Sequence, residues 1–181
     1  MYDLTLSVSH VPAQSDLDTR EITIGALLRE VAVARPDTEA LVEVRQDGST
    51  GRRWTYAGLL ADAERLAMAL STRFDPGERI VVWSPNSPDW VLMEYACALS
   101  GLVLVTANPA FQARELAYVL EHSGTVALFL VEEFRGNPMG RIGAEVAASI
   151  PSVREVTDME SAVLYAEGSR PPALPDVAPG D

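Results

Sequence analysis

The sequence predicts an α/β fold in which a doubly wound, mostly parallel sheet is flanked by helices. Three continuous apolar runs support this fold, at residues 80–83, 102–105 and 126–131. Continuous apolar runs are typical of strands that are buried on both faces. The runs are spaced widely enough for one crossover helix between each pair, which is the pattern of a right-handed βαβ series.

An N-terminal β-hairpin precedes this sheet in the sequence. Strands are predicted over residues 41–45 and 52–55, because an Asp47-Gly48-Ser49 turn separates two short β-prone segments. A helix capped by Thr23 is predicted before the hairpin, ending ahead of Pro36.

Helix signals fill the gaps between the predicted strands. Thr55 is expected to cap an amphipathic helix over residues 59–70. Ser87 and Pro88 have the residue types favoured at the N-cap and first position of the next helix, which Gly101 is expected to end. The same patterns predict a helix through residues 116–120 that ends before Gly124, a helix over residues 142–150 and a strand over residues 153–157.

The expected organisation has three parts. Residues 1–21 are a weakly patterned lead-in, and residues 22–169 form the α/β unit. Residues 170–181 contain four prolines and are expected to be an irregular linker.

Composition limits the classes of partner. The formal net charge is −12, which disfavours binding to nucleic acids or docking of a basic patch on anionic lipid. All 14 basic residues are arginines, so no mechanism that needs a lysine can run on this chain alone. The N-terminus lacks a signal-peptide pattern, and no apolar run reaches the length of a membrane span.

Cysteine usage points to a reducing compartment. The one cysteine, Cys97, cannot form an internal disulfide, so we expect a cytoplasmic protein. Cys97 lies within a helical apolar pattern and is interpreted as a small buried hydrophobic residue.

Two loops are candidates for a ligand crevice, because ligands of open parallel sheets bind beyond the carboxyl ends of the strands. Residues 84–88 include Asn86, and residues 106–109 include Asn108. Turn and cap chemistry alone explains these residue types and is the favoured interpretation.

Other chemical signals are weak, and we assign no catalytic residue and no metal site. Glu132 and Glu133 are interpreted as a solvated strand end, and His122 as a favourable cation at a helix C-terminus. His10 lies in an unpatterned segment, and no glycine-rich phosphate loop is present.

An ordered set of short motifs over about residues 22–131 resembles the N-terminal region of the acyl-adenylate-forming (AMP-binding) superfamily. The motifs are Trp54-Thr55-Tyr56, Pro76-Gly77-Glu78-Arg79-Ile80-Val81-Val82, Ser84-Pro85-Asn86-Ser87, Trp90, Gly101, Asn108-Pro109, Glu115-Leu116 and Tyr118. The Asn108-Pro109 and Glu115-Leu116 motifs resemble the acyl- or aryl-CoA ligase branch of the superfamily. The resemblance implies a carboxylic acid substrate, for which a fatty acid is the first expectation and an aryl acid the second.

The resemblance implies a two-step reaction that uses ATP, Mg²⁺ and coenzyme A. A carboxylate attacks the α-phosphate of ATP to give acyl-adenylate and pyrophosphate, and the thiol of coenzyme A then displaces AMP. The family performs this with a phosphate loop ending in Pro-Lys-Gly, later acidic motifs and a lysine of a C-terminal domain. None of these is in the sequence, and Pro179-Gly180-Asp181 resembles the approach to the phosphate loop.

The chain is therefore expected to be an inactive part of the large N-terminal domain of a longer acyl-CoA synthetase. Its expected partners are the remainder of that enzyme and, through an uncovered apolar face, further copies of itself. Two alternatives remain open from the residues alone: a stand-alone flavodoxin-like binding or regulatory module, and a partner-docking remnant.

Overall fold

The computed structural model describes residues 19–45, 47–160, 165 and 174–180. Most of the predicted lead-in, residues 1–18, lies outside these residues, as do residues 170–173 and 181 of the predicted proline-rich linker. The elements in chain order are α1 (Ile24–Ala34), β1 (Glu39–Val44), β2 (Thr50–Thr55), α2 (Tyr56–Ser71), β3 (Arg79–Trp83), α3 (Pro88–Ser100), β4 (Val103–Ala107), α4 (Ala113–Ser123), β5 (Ala127–Leu130), α5 (Met139–Ala147) and β6 (Glu155–Asp158).

The described strands form two sheets. β1 and β2 are an antiparallel hairpin, and β3, β4, β5 and β6 are parallel in the order β4-β3-β5-β6. The predicted fold class, with its N-terminal hairpin, is confirmed. In the described part of the chain no helix is long and apolar enough to cross a bilayer.

Local cap chemistry sets the helix ends as the sequence indicates. The hydroxyl groups of Thr23, Thr55 and Ser87 each accept a hydrogen bond from a backbone N–H in the first turn of the helix that follows. Gly101 and Gly124 adopt left-handed conformations, with φ of 68° and 63°, immediately after α3 and α4. Only glycine takes this conformation at little cost, which is why these helices end there.

Helices cover both faces of the parallel sheet. The α3 face carries α1, α2 and α3, and alternate residues such as Ile80 and Phe129 pack against them. The α4 face carries α4 and α5, which pack on Val81, Leu128 and their neighbours. β3 and β5 are consequently buried on both sides, as their continuous apolar runs predict.

β4 departs from the prediction of burial on both faces. Val103 and Thr106 are exposed, and Leu104 and Val105 are only partly buried. The reason is position, because β4 lies at the edge of the sheet and pairs with β3 alone among the described strands. The strand also extends to Ala107, so the loop that follows begins at Asn108 rather than at residue 106.

The boundaries predicted near the end of the chain are displaced by a few residues. α5 begins at Met139, before the predicted start at residue 142, and ends at Ala147. The sequence did not predict a helix start at Met139 because Gly140 and Gly143 follow it, and glycine is a poor helix former. β6 spans Glu155–Asp158, one or two residues later than predicted.

An arginine clamp fastens the hairpin to the first turn of α3. Arg52 donates two hydrogen bonds to Asp89, with Nη1–Oδ1 and Nη2–Oδ2 distances of 3.0 and 2.6 Å. The same guanidinium lies 5.2 Å from the ring centroid of Trp54. A bidentate pair of this kind fixes orientation as well as adding stability, so the hairpin has a defined position at the carboxyl edge of β3.

We expect Gly143→Ala to destabilise the protein and Gly140→Ala to be neutral or stabilising. A Cβ at Gly143 would lie 2.4 Å from Cδ2 of the buried Leu130 and 3.2 Å from that of Leu128. Overpacking of this kind costs about 1–3 kcal/mol, which outweighs the roughly 1 kcal/mol that alanine gains over glycine in a helix.

Gly140→Ala is the matched control on the same helix. Its Cβ would meet only the carboxylate of Glu132, an exposed side chain that can rotate away. Urea unfolding measures the free energy of unfolding of both variants. Equal stabilisation by the two alanines would show that α5 does not pack tightly against β5 at Gly143.

Candidate functional site

The candidate crevice lies at the carboxyl edge of the parallel sheet. β3 ends at Trp83 and β4 at Ala107, and because the strands are parallel neighbours their following loops lie side by side. A hydrogen bond of 2.8 Å from Trp83 Nε1 to the carbonyl oxygen of Asn108 joins the end of β3 to the loop after β4. Trp83 is fully buried, so the loop that carries Asn108 is held by the core itself.

The two predicted crevice residues differ in their local roles. Asn108 Oδ1 accepts a hydrogen bond of 2.9 Å from the backbone N–H of Ala110, so this side chain shapes its own turn. Asn86 is exposed, and its side chain makes no hydrogen bond to any residue that the structure describes. Of the two, Asn86 is the group that is available to meet a ligand.

A third loop at the same edge was missed by the sequence reasoning. Asn137, which follows β5, donates two hydrogen bonds of 3.1 Å to the carbonyl oxygens of Pro109 and Phe111. The loops after β4 and β5 are therefore fastened to one another. The turn-forming run Gly136-Asn137-Pro138, in the segment between the apolar strand β5 and α5, is the signal that could have found it.

A polar pocket of about 580 Å³ opens between the hairpin, α2 and the N-terminal turns of α3. The side chains lining it are those of Arg52, Trp54, Asp62, Arg65, Asp89, Leu92, Met159, Glu160 and Tyr165.

Ion pairs neutralise the arginines of this pocket. Arg52 pairs with Asp89, and Arg65 Nη2 lies 3.1 Å from Asp62 Oδ1. The guanidinium of Arg65 also lies 4.6 Å from the ring centroid of Tyr165. Hydrogen bonds to Asp89 raise the pKa of Arg52, so this side chain stays charged and paired. The pocket offers aromatic and polar contacts but little net positive charge for an anion.

A second, more apolar hollow of about 600 Å³ lies on α4. It is lined by Phe111, Arg114, Glu115, Tyr118 and Val119. The ring of His122 stacks on Tyr118 with centroids 5.3 Å apart, which extends the aromatic surface beyond the hollow.

The other candidate reactive groups form no catalytic arrangement. Cys97 is buried, and burial raises the pKa of its thiol well above the usual range, so it stays protonated and packed. Within the described residues no three histidine, cysteine, aspartate or glutamate side chains are grouped to hold a metal ion. Glu132 and Glu133 are exposed, and His10 lies outside the described residues.

The sequence between residues 28 and 179 matches the family described as AMP-binding enzyme. The chain belongs to this family. The resemblance drawn from the ordered motifs is thereby confirmed, and the family's fold agrees with the parallel sheet and its flanking helices.

Curated relatives are much longer than the matched segment. The chain is 40% identical over 114 residues to the human medium-chain acyl-CoA ligase ACSF2, mitochondrial, which covers 62% of this chain and 18% of the relative. It is 34% identical over 134 residues to the putative acyl-CoA synthetase YngI of Bacillus subtilis, covering 74% of this chain and 23% of that protein. The chain thus spans about a fifth of the length of these relatives.

Solved structures agree with the sequence relatives. The N-terminal domain of FACL13 from Mycobacterium tuberculosis superposes with a TM-score of 0.68 at 26% identity, covering 84% of this chain and 38% of that one. MbtA from Mycobacterium smegmatis gives a TM-score of 0.72 at 26% identity, covering 88% of this chain and 29% of that one.

We expect Asn108→Ala to lower the free energy of unfolding by about 1 kcal/mol, because it removes the acceptor of a turn hydrogen bond. Asn108→Asp keeps that acceptor and should retain most of the stability. Asn86→Ala should change stability by less than about 0.5 kcal/mol, since the exposed side chain that is removed has no hydrogen-bond partner among the described residues. Urea titrations measure the free energy of unfolding of the three variants. An equal loss of stability in Asn86→Ala and Asn108→Ala would mean that Asn86 also has a structural role.

Proposed function

We propose that this chain is one layer of an ATP-dependent acyl-CoA synthetase. The observation that carries the proposal is the family match over residues 28–179, together with relatives named as acyl-CoA ligases. In the proposed reaction a carboxylate oxygen bonds to the α-phosphorus of ATP as pyrophosphate leaves. The thiol sulfur of coenzyme A then bonds to the acyl carbon, AMP leaves, and the thiol gives up its proton.

The described residues fit a scaffolding role better than a chemical one. Charge that develops on the transferring phosphate needs cationic donors or Mg²⁺ close by. The chain has no lysine, and both arginines of the polar pocket are paired with carboxylates. We derive no catalytic step from these residues, and assign the contacts to ATP, Mg²⁺ and coenzyme A to other parts of a longer enzyme.

The contribution of this layer is the crevice at the carboxyl edge. Three loops lie there: the Trp83–Asn108 hydrogen bond holds the loop after β4 against the sheet, and the Asn137–Pro109 hydrogen bond holds the loop after β5 to the loop after β4. We assign Asn86 and Asn108 to the wall of this crevice, with Asn86 facing the ligand and Asn108 shaping its loop.

The proposed substrate is a medium-chain fatty acid, with an aryl acid as the second candidate. We propose a medium chain length because the human relative, 40% identical over 114 residues, is named as a medium-chain acyl-CoA ligase. We place the protein in the cytoplasm because its one cysteine is a buried thiol. The human relative is named as mitochondrial, so cell fractionation is the measurement that distinguishes the two compartments.

The proposed organisation is a lead-in over residues 1–21, the α/β layer over residues 22–169 and a linker over residues 170–181. The proposed partner of the layer is the remainder of the enzyme. Strand order alone equally fits a flavodoxin-like module, since β4-β3-β5-β6 is the order found in that class. That module is the second candidate function.

Two measurements test the proposed function. An antibody against this segment should detect, in the source cells, a protein far larger than 19.5 kDa. That protein should catalyse exchange of pyrophosphate into ATP when octanoate is present, and should release AMP when coenzyme A is added. The 181-residue chain should catalyse neither reaction and should show no saturable binding of ATP with Mg²⁺.

A native mass of 19.5 kDa would contradict the proposal and favour the binding module. Micromolar, saturable ATP binding by the 181-residue chain would likewise overturn the assignment of the nucleotide site to other residues.

We further propose that an apolar side of α1 associates with the rest of the enzyme and, in its absence, with a second copy of this chain. Ile24 and Leu27 lie three residues apart on one side of the helix and are 57% and 42% exposed. Static light scattering should show an average mass that rises with concentration, and the double variant Ile24→Glu, Leu27→Glu should remain monomeric.

Val33→Glu is the control for this association. Val33 is exposed as well, but it lies half a turn away from Ile24 around the helix. A strictly monomeric wild-type chain, or equal effects of the control and the double variant, would contradict this surface.

A further inference from the structure

The polar pocket between the hairpin, α2 and α3 has a net negative lining. Three carboxylates, those of Asp62, Asp89 and Glu160, face two guanidinium groups in it. The carboxylates do not converge, since within the described residues no three such side chains are grouped to hold a metal ion. A cation that complements this lining is therefore larger than a metal ion.

Two of the three carboxylates belong to the walls of the pocket. Asp89 accepts both hydrogen bonds of the Arg52 guanidinium. Asp62 accepts a hydrogen bond of 2.8 Å from Trp54 Nε1 on one oxygen and one of 3.1 Å from Arg65 on the other. These bonds hold the indole ring and both guanidinium groups in place, so the walls are formed before any ligand arrives.

Glu160 supplies the charge that the walls do not neutralise. Its backbone N–H donates a hydrogen bond of 3.0 Å to Asp158 Oδ1, which places the residue directly after β6. Its side chain is exposed and forms no hydrogen bond or ion pair with any residue that the structure describes. A cation meets this carboxylate without breaking an existing ion pair, whereas an anion would be repelled by it and would compete with Asp89 or Asp62 for an arginine.

The inner surface of the pocket is apolar and aromatic. Leu92 and Met159, which line it, are only 2% and 3% exposed, and Trp54 and Tyr165 add aromatic surface. The volume of about 580 Å³ lies within the range of pockets that bind small organic ligands. Burial against such a surface stabilises a flat hydrocarbon body, and the carboxylate adds a preference for a positive group.

We infer that the polar pocket binds an organic cation of the arylalkylamine class. The ammonium group of the ligand pairs with Glu160, and its ring lies against Leu92, Met159 and the aromatic side chains. The formal net charge of −12 further favours a cation over an anion at this surface. Binding requires neither ATP nor coenzyme A, so the inference is independent of the proposed function.

The test is an NMR titration of the 181-residue chain with 2-phenylethylamine, a primary amine that is protonated at neutral pH. The resonances of the Trp54 indole N–H and the Met159 methyl group should shift saturably. The indole N–H of Trp83, which is buried in the core on the α4 face, should not shift. The neutral isostere 2-phenylethanol should bind more weakly, and the anion 3-phenylpropanoate should cause no saturable shift.

Charge reversal at two positions separates local recognition from overall charge. Glu160→Lys should weaken binding of the amine by about tenfold or more, because attraction becomes repulsion. Glu121→Lys is the matched control, since it changes the total charge equally but lies on α4, on the other face of the sheet. Its affinity should stay within about twofold of the wild-type value. Both side chains are exposed, so both variants should fold.

Four outcomes would overturn the inference. These are the absence of saturable shifts with the amine, equal binding of 3-phenylpropanoate, equal weakening by the two charge reversals, and shifts that are confined to the hollow around Tyr118. The last outcome would place the amine on α4 instead of in the polar pocket.

Discussion

Complete burial of β3 and β5 is the constraint on which the rest of the structure depends. Their side chains alternate between two apolar cores, and neither core can face water without losing the free energy that drives folding. Both faces therefore need helices, and parallel strands need long connections to carry them. Each connection returns the chain to the amino edge, so the loops that follow the strands gather at the carboxyl edge. The position of the candidate crevice is a consequence of burial.

Features set by local chemistry could be predicted from the sequence. Thr23, Thr55 and Ser87 cap helices because their hydroxyl groups reach nearby backbone N–H groups, and this depends on a few adjacent residues. The start of α5 could not be predicted in this way. Gly140 and Gly143 suggest a break when considered alone, but at Gly143 the packing of the helix on Leu130 and Leu128 leaves little room for a larger residue. Contacts distant in sequence override local preference there.

The site was predictable only in part, for the same reason. Asn86 and Asn108 follow recognisable strands, so their loops could be assigned to one edge. The polar pocket brings together β2, α2, α3 and residues beyond β6, and no local pattern signals that convergence. Strand order does not identify the reaction either, since flavodoxin-like proteins share it. The ordered motifs, rather than the geometry, distinguish this α/β layer as a member of the AMP-binding enzyme family.

The two closed cores explain how such a layer can be well folded while, under the proposed function, the rest of the enzyme supplies the chemistry. Its cores are closed on both faces, and its acidic surface favours solubility. Both arginines of the polar pocket are already paired within the layer, Arg52 with Asp89 and Arg65 with Asp62. The edge of β4, which pairs with β3 alone among the described strands, and the exposed side chains of Ile24 and Leu27 on α1 are positions where further polypeptide can pack. Under the proposed function, this layer positions the loops of a catalytic site, and other parts of the enzyme supply the charge that stabilises the phosphate.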